Sequence, residues 1–511
     1  MKKIITAVLS MALFICMFTG CSGKGSSDTD TLKITFYNGG YGETWANVLA
    51  EKFTEETGIK VELEPNSNLQ AEVPNMLQNG TDCDLIFCHN IAWETPAAQG
   101  RIEPLDDLFE SEVDGMSFKE RLVDSAVDEC SLLGHYYKVP WTNGAGGIVY
   151  NKKMFEKNGW EVPTTYSELA ALCEQIVNDA VPVDATNTKP NAPKIVPFVW
   201  SSSTYYWDYV VFDWWAQLAG IDTIEEYKNL ESPEVFDPNG SFSAFVQAVE
   251  AWKSLIADHP KYSMENSSGK LYTAAQMDFV NGYAAMIPCA QWLESEMSDY
   301  IGAETCEMAL MPTPLMDGAK VNENGEAIRV NYQVGAGDSI IIPSCSKHKD
   351  AAKEFLRFLA REENCKLFTE KTMGVMLDFE YSSFDGIENA TTFMKDVYTI
   401  NTTSQKFNLY SQNAMVISGV LSLEWPPRGA QMYGSLMDRP ETSVSENFNS
   451  VYSEILQKWD GWQQGIISQK SGSEKEQKTQ AFQKAETHYI YCIDAGISGT
   501  SFFDFLVICE Y

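Results

Sequence analysis

The stretch Leu32-Lys33-Ile34-Thr35-Phe36-Tyr37 alternates apolar and polar residues and ends at the turn Asn38-Gly39-Gly40, which predicts a β-strand. Helical spacing and further apolar runs predict the elements that follow it: a helix at Thr44 to Thr57, a strand at Ile59 to Leu63, a helix at Glu72 to Gln78 and a strand at Asp84 to Phe87. This repeated strand and helix order predicts an α/β fold with a parallel sheet and right-handed crossovers.

A second α/β region follows the first. Its predicted elements are a strand at Gly146 to Asn151, a short helix at Lys152 to Asn158, apolar strands at Ala284 to Pro288 and Ser339 to Pro343, and an amphipathic helix at His348 to Arg361. Thr165, followed by Glu168, is a predicted N-cap of a further helix. The chain of 511 residues is long enough for two or three domains of ordinary size.

The N-terminus has the pattern of an export signal. Lys2 and Lys3 precede a mostly apolar stretch from Ile4 to Phe18, and Cys21 follows Gly20 directly. The cysteine resembles the end of a bacterial lipobox, where the thiol receives diacylglycerol, although Phe18 is a less usual residue there. The alternative, an uncleaved membrane helix, needs about 20 apolar residues. We expect a signal peptide at 1–20, a flexible leash at 21–30 and palmitate-type lipid anchoring to the cell membrane through Cys21.

Composition excludes some partners. A hydrophobic content of 44% with 12% aromatic residues is typical of a globular protein. The net charge of −34 argues against nucleic acid as a partner and against direct binding to anionic lipid. The ten cysteines beyond Cys16 and Cys21 are scattered and form no CxxC pair, so we expect mostly buried free thiols and no metal site.

Several longer segments together carry a family resemblance. They are Gly100 to Leu108, Ile148 to Phe155, Phe279 to Met286 with Gln291-Trp292, and Ile341 to Ser344 with Ala351 to Leu359. In this order, over about residues 31 to 465 and behind a lipobox, they resemble family 1 of the bacterial extracellular solute-binding proteins. Proteins of that family capture substrates for carbohydrate ABC importers.

The resemblance implies a two-lobed, type II periplasmic-binding-protein-like α/β fold with a ligand cleft between the lobes. Lobe 1 would comprise residues 31–149 and 339–374, and lobe 2 residues 150–338 and 375–468. The chain would cross between them near Tyr150, at Val334 to Ser339 and at Gly374 to Leu377. The tail at 469–511 departs from the family pattern and is left unassigned.

Sugars present apolar C–H faces rimmed by hydroxyls, so a binding cleft needs flat aromatic side chains and polar side chains near strand ends. The predicted ligand-binding residues are Asn38, Tyr41, Asn90, Trp93, Trp141, Asn143, Tyr206, Trp207, Gln291, Trp292, Tyr332, Asp338 and Trp425. Trp214 and Trp215 instead follow the helical spacing of core residues.

These observations predict an extracytoplasmic, lipid-anchored, monomeric binding protein without a cofactor. The resemblance further implies that it captures a sugar, an oligosaccharide rather than a monosaccharide, and delivers it to ABC permease subunits by hinge closure. A secreted glycosidase with a carboxylate pair and a binding protein for a peptide or another solute are the alternatives. The sequence contains no GxSxG, HExxH or P-loop motif and only five histidines, which disfavours an enzyme.

Overall fold

The computed structural model describes residues 31–465, apart from 133, 202–205, 303, 334–336, 382–383, 385–386, 412, 418–435 and 438–440. The predicted signal peptide, the leash with Cys21, Trp425 and the tail at 469–511 lie outside the described residues.

The strands agree closely with the sequence pattern. In the described part of the chain they are β1 (Thr31–Tyr37), β2 (Lys60–Asn66), β3 (Leu85–Cys88), β4 (Glu112–Val113), β5 (Met116–Ser117), β6 (Ser131–Leu132), β7 (His135–Tyr136), β8 (Val139–Pro140), β9 (Gly146–Asn151), β10 (Val196–Phe198), β11 (Ala284–Ala290), β12 (Met308–Met311), β13 (Val330–Tyr332), β14 (Ser339–Ile341) and β15 (Gln405–Phe407).

The helices are α1 (Thr44–Thr57), α2 (Leu69–Asn79), α3 (Glu94–Ala98), α4 (Asp106–Phe109), α5 (Phe118–Arg121), α6 (Asp124–Val127), α7 (Lys152–Asn158), α8 (Tyr166–Asp179), α9 (Asp208–Ala219), α10 (Ile221–Asn229), α11 (Ser243–Ile256), α12 (Tyr272–Val280), α13 (Leu293–Glu296), α14 (Lys349–Leu359), α15 (Glu362–Lys371), α16 (Thr392–Thr403) and α17 (Ala414–Ile417). Short 3-10 turns occur at Asp128–Cys130 and Pro233–Phe236, and the chain is helical again at 444–465.

The first lobe is built on a five-stranded sheet in the order β2-β1-β3-β14-β8. The strands β1, β2 and β3 are parallel, as predicted, whereas β14 runs antiparallel to both of its neighbours. Successive residues of these strands point alternately into two separate cores. Ile34 and Phe87 belong to one core, and Ile86 and Ile341 belong to the other. The sheet is therefore covered by helices on both faces, as α/β folds require.

The second lobe contains a four-stranded sheet in the order β10-β11-β9-β12. Here β9 is antiparallel to both β11 and β12, and its first residue, Gly146, is paired with Ala290. The whole of β9 therefore belongs to the second lobe, and the chain crosses between Pro140 and Gly146. The predicted boundary near Tyr150 lies too far along the chain, because it falls inside β9, and both strands that pair with β9 belong to the second lobe.

The last crossing also differs from the prediction. Val375, Leu377 and Phe379 alternate along the chain and are buried in the core of the first lobe. Isolated bridges tie Leu377 to Thr142 and Phe379 to Leu122 in the same lobe. After this run, the next described element is α16, which packs against β12 of the second lobe. The return therefore occurs after Tyr381 rather than at Gly374 to Leu377, because this apolar run extends the first core.

The second lobe holds the larger core, which includes Trp214 and Trp215, as predicted. The predicted N-cap of α8 is confirmed, since Thr165 Oγ1 accepts a hydrogen bond of 3.2 Å from the Glu168 backbone N–H. The eight described cysteines are free thiols, and all except Cys345 are buried. Within the described residues, no helix combines the length and apolar character needed to cross a membrane.

Candidate functional site between the lobes

Trp292 lies where the two lobes meet. It comes shortly after β11 and occupies the N-cap of α13. Its indole is partly exposed and packs against buried clusters of both lobes. A Cβ added at Gly40, in the turn after β1, would lie 3.1 Å from the Trp292 Cβ. An aromatic side chain of the second lobe is therefore in close contact with the first.

Three tyrosines of the second lobe lie near Trp292. The ring centroids of Tyr206 and Tyr209 are 5.3 Å and 6.1 Å from the Trp292 ring, and Tyr272 is 6.1 Å from Tyr206. Burial raises the pKa of Tyr206 and of Tyr272, so both remain neutral hydroxyls that donate and accept hydrogen bonds. This cluster combines flat apolar faces with hydroxyl groups, as pockets for polar organic ligands do.

The first lobe contributes a charged group to the same boundary. Asp338 Oδ1 is 2.5 Å from His89 Nδ1. Asp338 Oδ2 accepts hydrogen bonds from the hydroxyls of Tyr41, at 3.1 Å, and Thr142, at 3.0 Å. The His89 ring in turn lies edge-on to Tyr37 at 4.6 Å. The polar side chains that follow β1 and β3 are thus held together by Asp338, which precedes β14.

Tyr37 links the two sets of residues. Burial raises the pKa of its phenol, and the negative charges of Glu296 and Asp338 raise it further. Glu296 belongs to α13 in the second lobe, whereas Asp338 lies beside β14 in the first. The interlobe site, defined as Tyr37, His89, Tyr206, Tyr209, Tyr272, Trp292, Glu296 and Asp338, is therefore assembled from both lobes.

Asn143 and Gln291, two predicted ligand residues, lie in the hinge between the lobes. Gln291 Oε1 accepts a 3.0 Å bond from the Met376 N–H, and the Asn143 N–H donates to the Met376 carbonyl at 2.9 Å. Gln333 Nε2 donates to Asn143 Oδ1 at 2.9 Å. A Cβ added at Gly144 would lie 1.9 Å from Gln291 Oε1. Both amides are buried and join the crossing segments to one another, and their role in ligand binding stays a prediction.

Three predicted tryptophans are buried in the cores. Trp141 is 0% exposed and stacks on His89, Trp207 is 0% exposed and stacks on Trp252, and Trp93 is 2% exposed in the other core of the first lobe. In this structure none of the three offers a surface to a ligand. Ligand contact by these residues stays a prediction.

The remaining predicted residues lie near the site with different exposure. Asn90 is exposed in a left-handed conformation, and its amide packs against Gly337. Asn38 is partly exposed and donates to Glu43 Oε1 at 2.6 Å. Tyr332 is buried behind the site, stacked on Tyr209 at a centroid distance of 6.1 Å.

Sequence reasoning missed Tyr37, His89, Tyr209, Tyr272 and Glu296. Two of them carried a usable signal: Tyr37 is the last residue of β1, and Glu296 follows Trp292 by one helical turn. Among the described residues, no group of three or more His, Cys, Asp or Glu side chains is arranged to hold a metal ion.

Comparison with known proteins identifies the family. Residues 38–364 match the family described as bacterial extracellular solute-binding protein. The chain belongs to this family. A relative in Streptomyces coelicolor, the diacetylchitobiose-binding protein NgcE, is 22% identical over 352 residues, which are 68% of this chain and 69% of that protein.

Two solved structures share the fold. The solute receptor AcbH, described as having an exclusive preference for β-D-galactopyranose, superposes with a TM-score of 0.61 at 19% identity, over 84% of this chain and 99% of that one. RafE in complex with raffinose superposes with a TM-score of 0.58 at 17% identity, over 83% of this chain and 99% of that one. The predicted two-lobed, type II-like α/β fold is confirmed. The family consists of extracellular binding proteins rather than enzymes.

Proposed function

We propose that this protein captures a carbohydrate in the interlobe site and delivers it to the permease subunits of an ABC importer. Its relatives support a sugar as the solute, since NgcE is named for diacetylchitobiose and RafE was solved with raffinose. An oligosaccharide suits a site with several aromatic rings better than a monosaccharide does, because each sugar unit can cover one ring.

The observation that carries this proposal is the position of Trp292. It is a partly exposed aromatic side chain that contacts both lobes, with Tyr206 and Tyr209 beside it. An indole at such a boundary can stack on the C–H face of a sugar, while the tyrosine hydroxyls bond to sugar hydroxyls. Closure of the lobes would then bury both faces of the ligand.

We further propose that the chain works as a monomer tethered by a lipid on Cys21. Family membership places the protein outside the cell, and the segment Phe18-Thr19-Gly20-Cys21 supports lipidation. A leash at 21–30 would let both lobes move freely at the membrane surface, because Ser- and Gly-rich segments behave as flexible coils.

A thermal-shift screen tests the proposal. The panel would contain N,N′-diacetylchitobiose, raffinose, maltose, galactose and a dipeptide mixture. A bound sugar at 100 times its dissociation constant should add about 2.7 kcal/mol to the free energy of unfolding. The proposal would be contradicted if only the dipeptides stabilised the protein, or if no sugar in the panel did.

Variants then locate the site. Trp292→Ala should weaken sugar binding by about 2 kcal/mol or more, as for an aromatic hot spot. Trp160→Ala is the matched control, because Trp160 is buried against Phe155 in the second lobe and its Nε1 donates a 2.8 Å hydrogen bond to Asp179 Oδ2. This control should lose stability but keep its affinity. Unchanged affinity in Trp292→Ala would remove Trp292 from the site.

A further inference from the structure

Glu296 shares a face of α13 with Trp292. Trp292 is the N-cap of this helix, and Glu296 is the last helical residue, four positions further on. Side chains four residues apart on a helix lie one above the other. Glu296 is partly exposed, and its Oε2 accepts a 2.9 Å bond from Gln276 Nε2. The carboxylate therefore lies beside the aromatic surface that the proposed sugar would cover.

No positive side chain neutralises this carboxylate among the described residues. Glu296 has hydrogen-bond partners in Gln276 and Tyr272, and both are neutral. Across the boundary, Asp338 pairs with His89, and both carboxylates act on the phenol of Tyr37. Within the part of the chain that the structure describes, neither carboxylate forms an ion pair with Lys or Arg. A ligand at Trp292 thus meets the Glu296 carboxylate, which has no opposite charge beside it.

We propose that Glu296 selects the ligand by its charge: the site prefers a sugar with a protonated amine over the corresponding neutral sugar, and rejects the corresponding uronate. The inference rests on the proposed function, because it concerns the substrate class of the same site. Glu296 is a specificity-determining residue in this account, and Trp292 remains the stacking surface.

The physical reason lies in desolvation. When the lobes close, water leaves the neighbourhood of Glu296, and a buried carboxylate without an opposite charge nearby is costly. An ammonium group on the ligand restores an opposite charge, and a hydroxyl restores a hydrogen bond only. A ligand carboxylate adds a second negative charge close by, and two such groups disfavour ionisation of each other. The order amine, hydroxyl, carboxylate follows from these terms.

The test uses matched ligand series on three scaffolds. They are chitobiose, cellobiose and cellobiuronate; glucosamine, glucose and glucuronate; and galactosamine, galactose and galacturonate. Calorimetric titration at neutral pH and low ionic strength should show a tenfold or larger fall in affinity from the amine to the uronate, or about 1.4 kcal/mol. In Glu296→Gln the same two ligands should differ by less than threefold. The preference in the native protein should weaken with added salt, because salt screens partly exposed charges.

The matched control is Glu294→Gln, the same change two residues earlier on α13. Glu294 points to a different neighbour, since its Oε2 accepts a 2.6 Å bond from Thr391 Oγ1. It should retain the full ligand order. A thermal melt of each variant verifies folding.

The outcomes separate the two proposals. Equal affinities within a binding series, or a preference that survives in Glu296→Gln, would overturn the charge selection and leave sugar binding intact. Binding of no member of any series, together with no sugar in the thermal-shift screen, would overturn both.

Discussion

Among the glycines that the structure describes, Gly144 is the one at which an added Cβ would come closest to another atom. In Gly144→Ala the new Cβ would lie 1.9 Å from Gln291 Oε1 and 2.2 Å from Gln291 Cδ. Gln291 is 0% exposed, and its backbone N–H is fixed to the Ala145 carbonyl at 3.1 Å. The amide must therefore leave its place, and its bond to the Met376 N–H is lost.

The cost can be estimated from the groups left unpaired. An unsatisfied buried donor or acceptor costs about 1–3 kcal/mol, and here both the Met376 N–H and the Gln291 carbonyl lose their partner. A Gly-to-Ala change also lowers the conformational entropy of the unfolded chain, which offsets about 0.4–1 kcal/mol of this loss of stability. We expect Gly144→Ala to lower the free energy of unfolding by about 2–4 kcal/mol.

Urea unfolding followed by circular dichroism measures this loss. Gly461→Ala is the matched control: a Cβ there meets no atom within 4 Å, and the residue lies in the helical segment 444–465. It should be neutral or stabilising by up to about 1 kcal/mol. The double variant Gly144→Ala/Gln291→Ala should cost less than the sum of the two single changes, since the clash is gone. A Gly144→Ala protein within about 0.5 kcal/mol of the parent would refute this account of the hinge.

Three further predictions concern other parts of the chain. Cys21→Ala should abolish metabolic palmitate labelling and release the protein from the membrane fraction or leave it unprocessed; unaltered labelling and fractionation would exclude lipidation there. Saturation with a bound sugar should reduce the radius of gyration measured by X-ray scattering, and an unchanged radius at proven saturation would exclude hinge closure. Burial raises the pKa of Asp213 to about 7, above its usual value of about 3.9. The folded state therefore favours the protonated carboxyl, and the stability that this gives is lost as pH rises from about 4 to 7. Asp213→Asn should therefore flatten the fall of unfolding free energy over that range, whereas Asp222→Asn, at an exposed position, should follow the parent curve; parallel curves for Asp213→Asn and the parent would contradict the assignment.

Local patterns were sufficient for the elements but not for the lobe boundaries. The helix predicted at 44–57 and the strand predicted at 146–151 have the observed bounds, because periodicity and the flanking glycines act within a few residues. The crossings depend on which lobe receives an apolar run. Val375 to Phe379 would suit either core, and only the bridges to Leu122 and Thr142 decide the matter.

The same limit applies to the site. Trp141 and Trp292 both occur in strand-end segments, and both are typical candidates for a ligand surface. One is enclosed by the rings of Trp45 and Phe87, and the other remains partly exposed. Sequence cannot distinguish them, because the difference arises from tertiary packing: Trp141 is enclosed within the core of the first lobe, whereas Trp292 lies where the two lobes meet. Glu296 was missed because it is one of 71 acidic residues, and only its position beside Trp292 in the fold marks it as a site residue.

The position of β14 inside the first sheet, between β3 and β8, has a consequence for the order of folding. Its residue Ser339 pairs with Cys88, about 250 residues earlier in the chain. The segment that emerges first during synthesis thus lacks one interior strand of its sheet until most of the second lobe has been made. Closing so long a loop is slow, although the entropic cost of closure increases only gently with loop length.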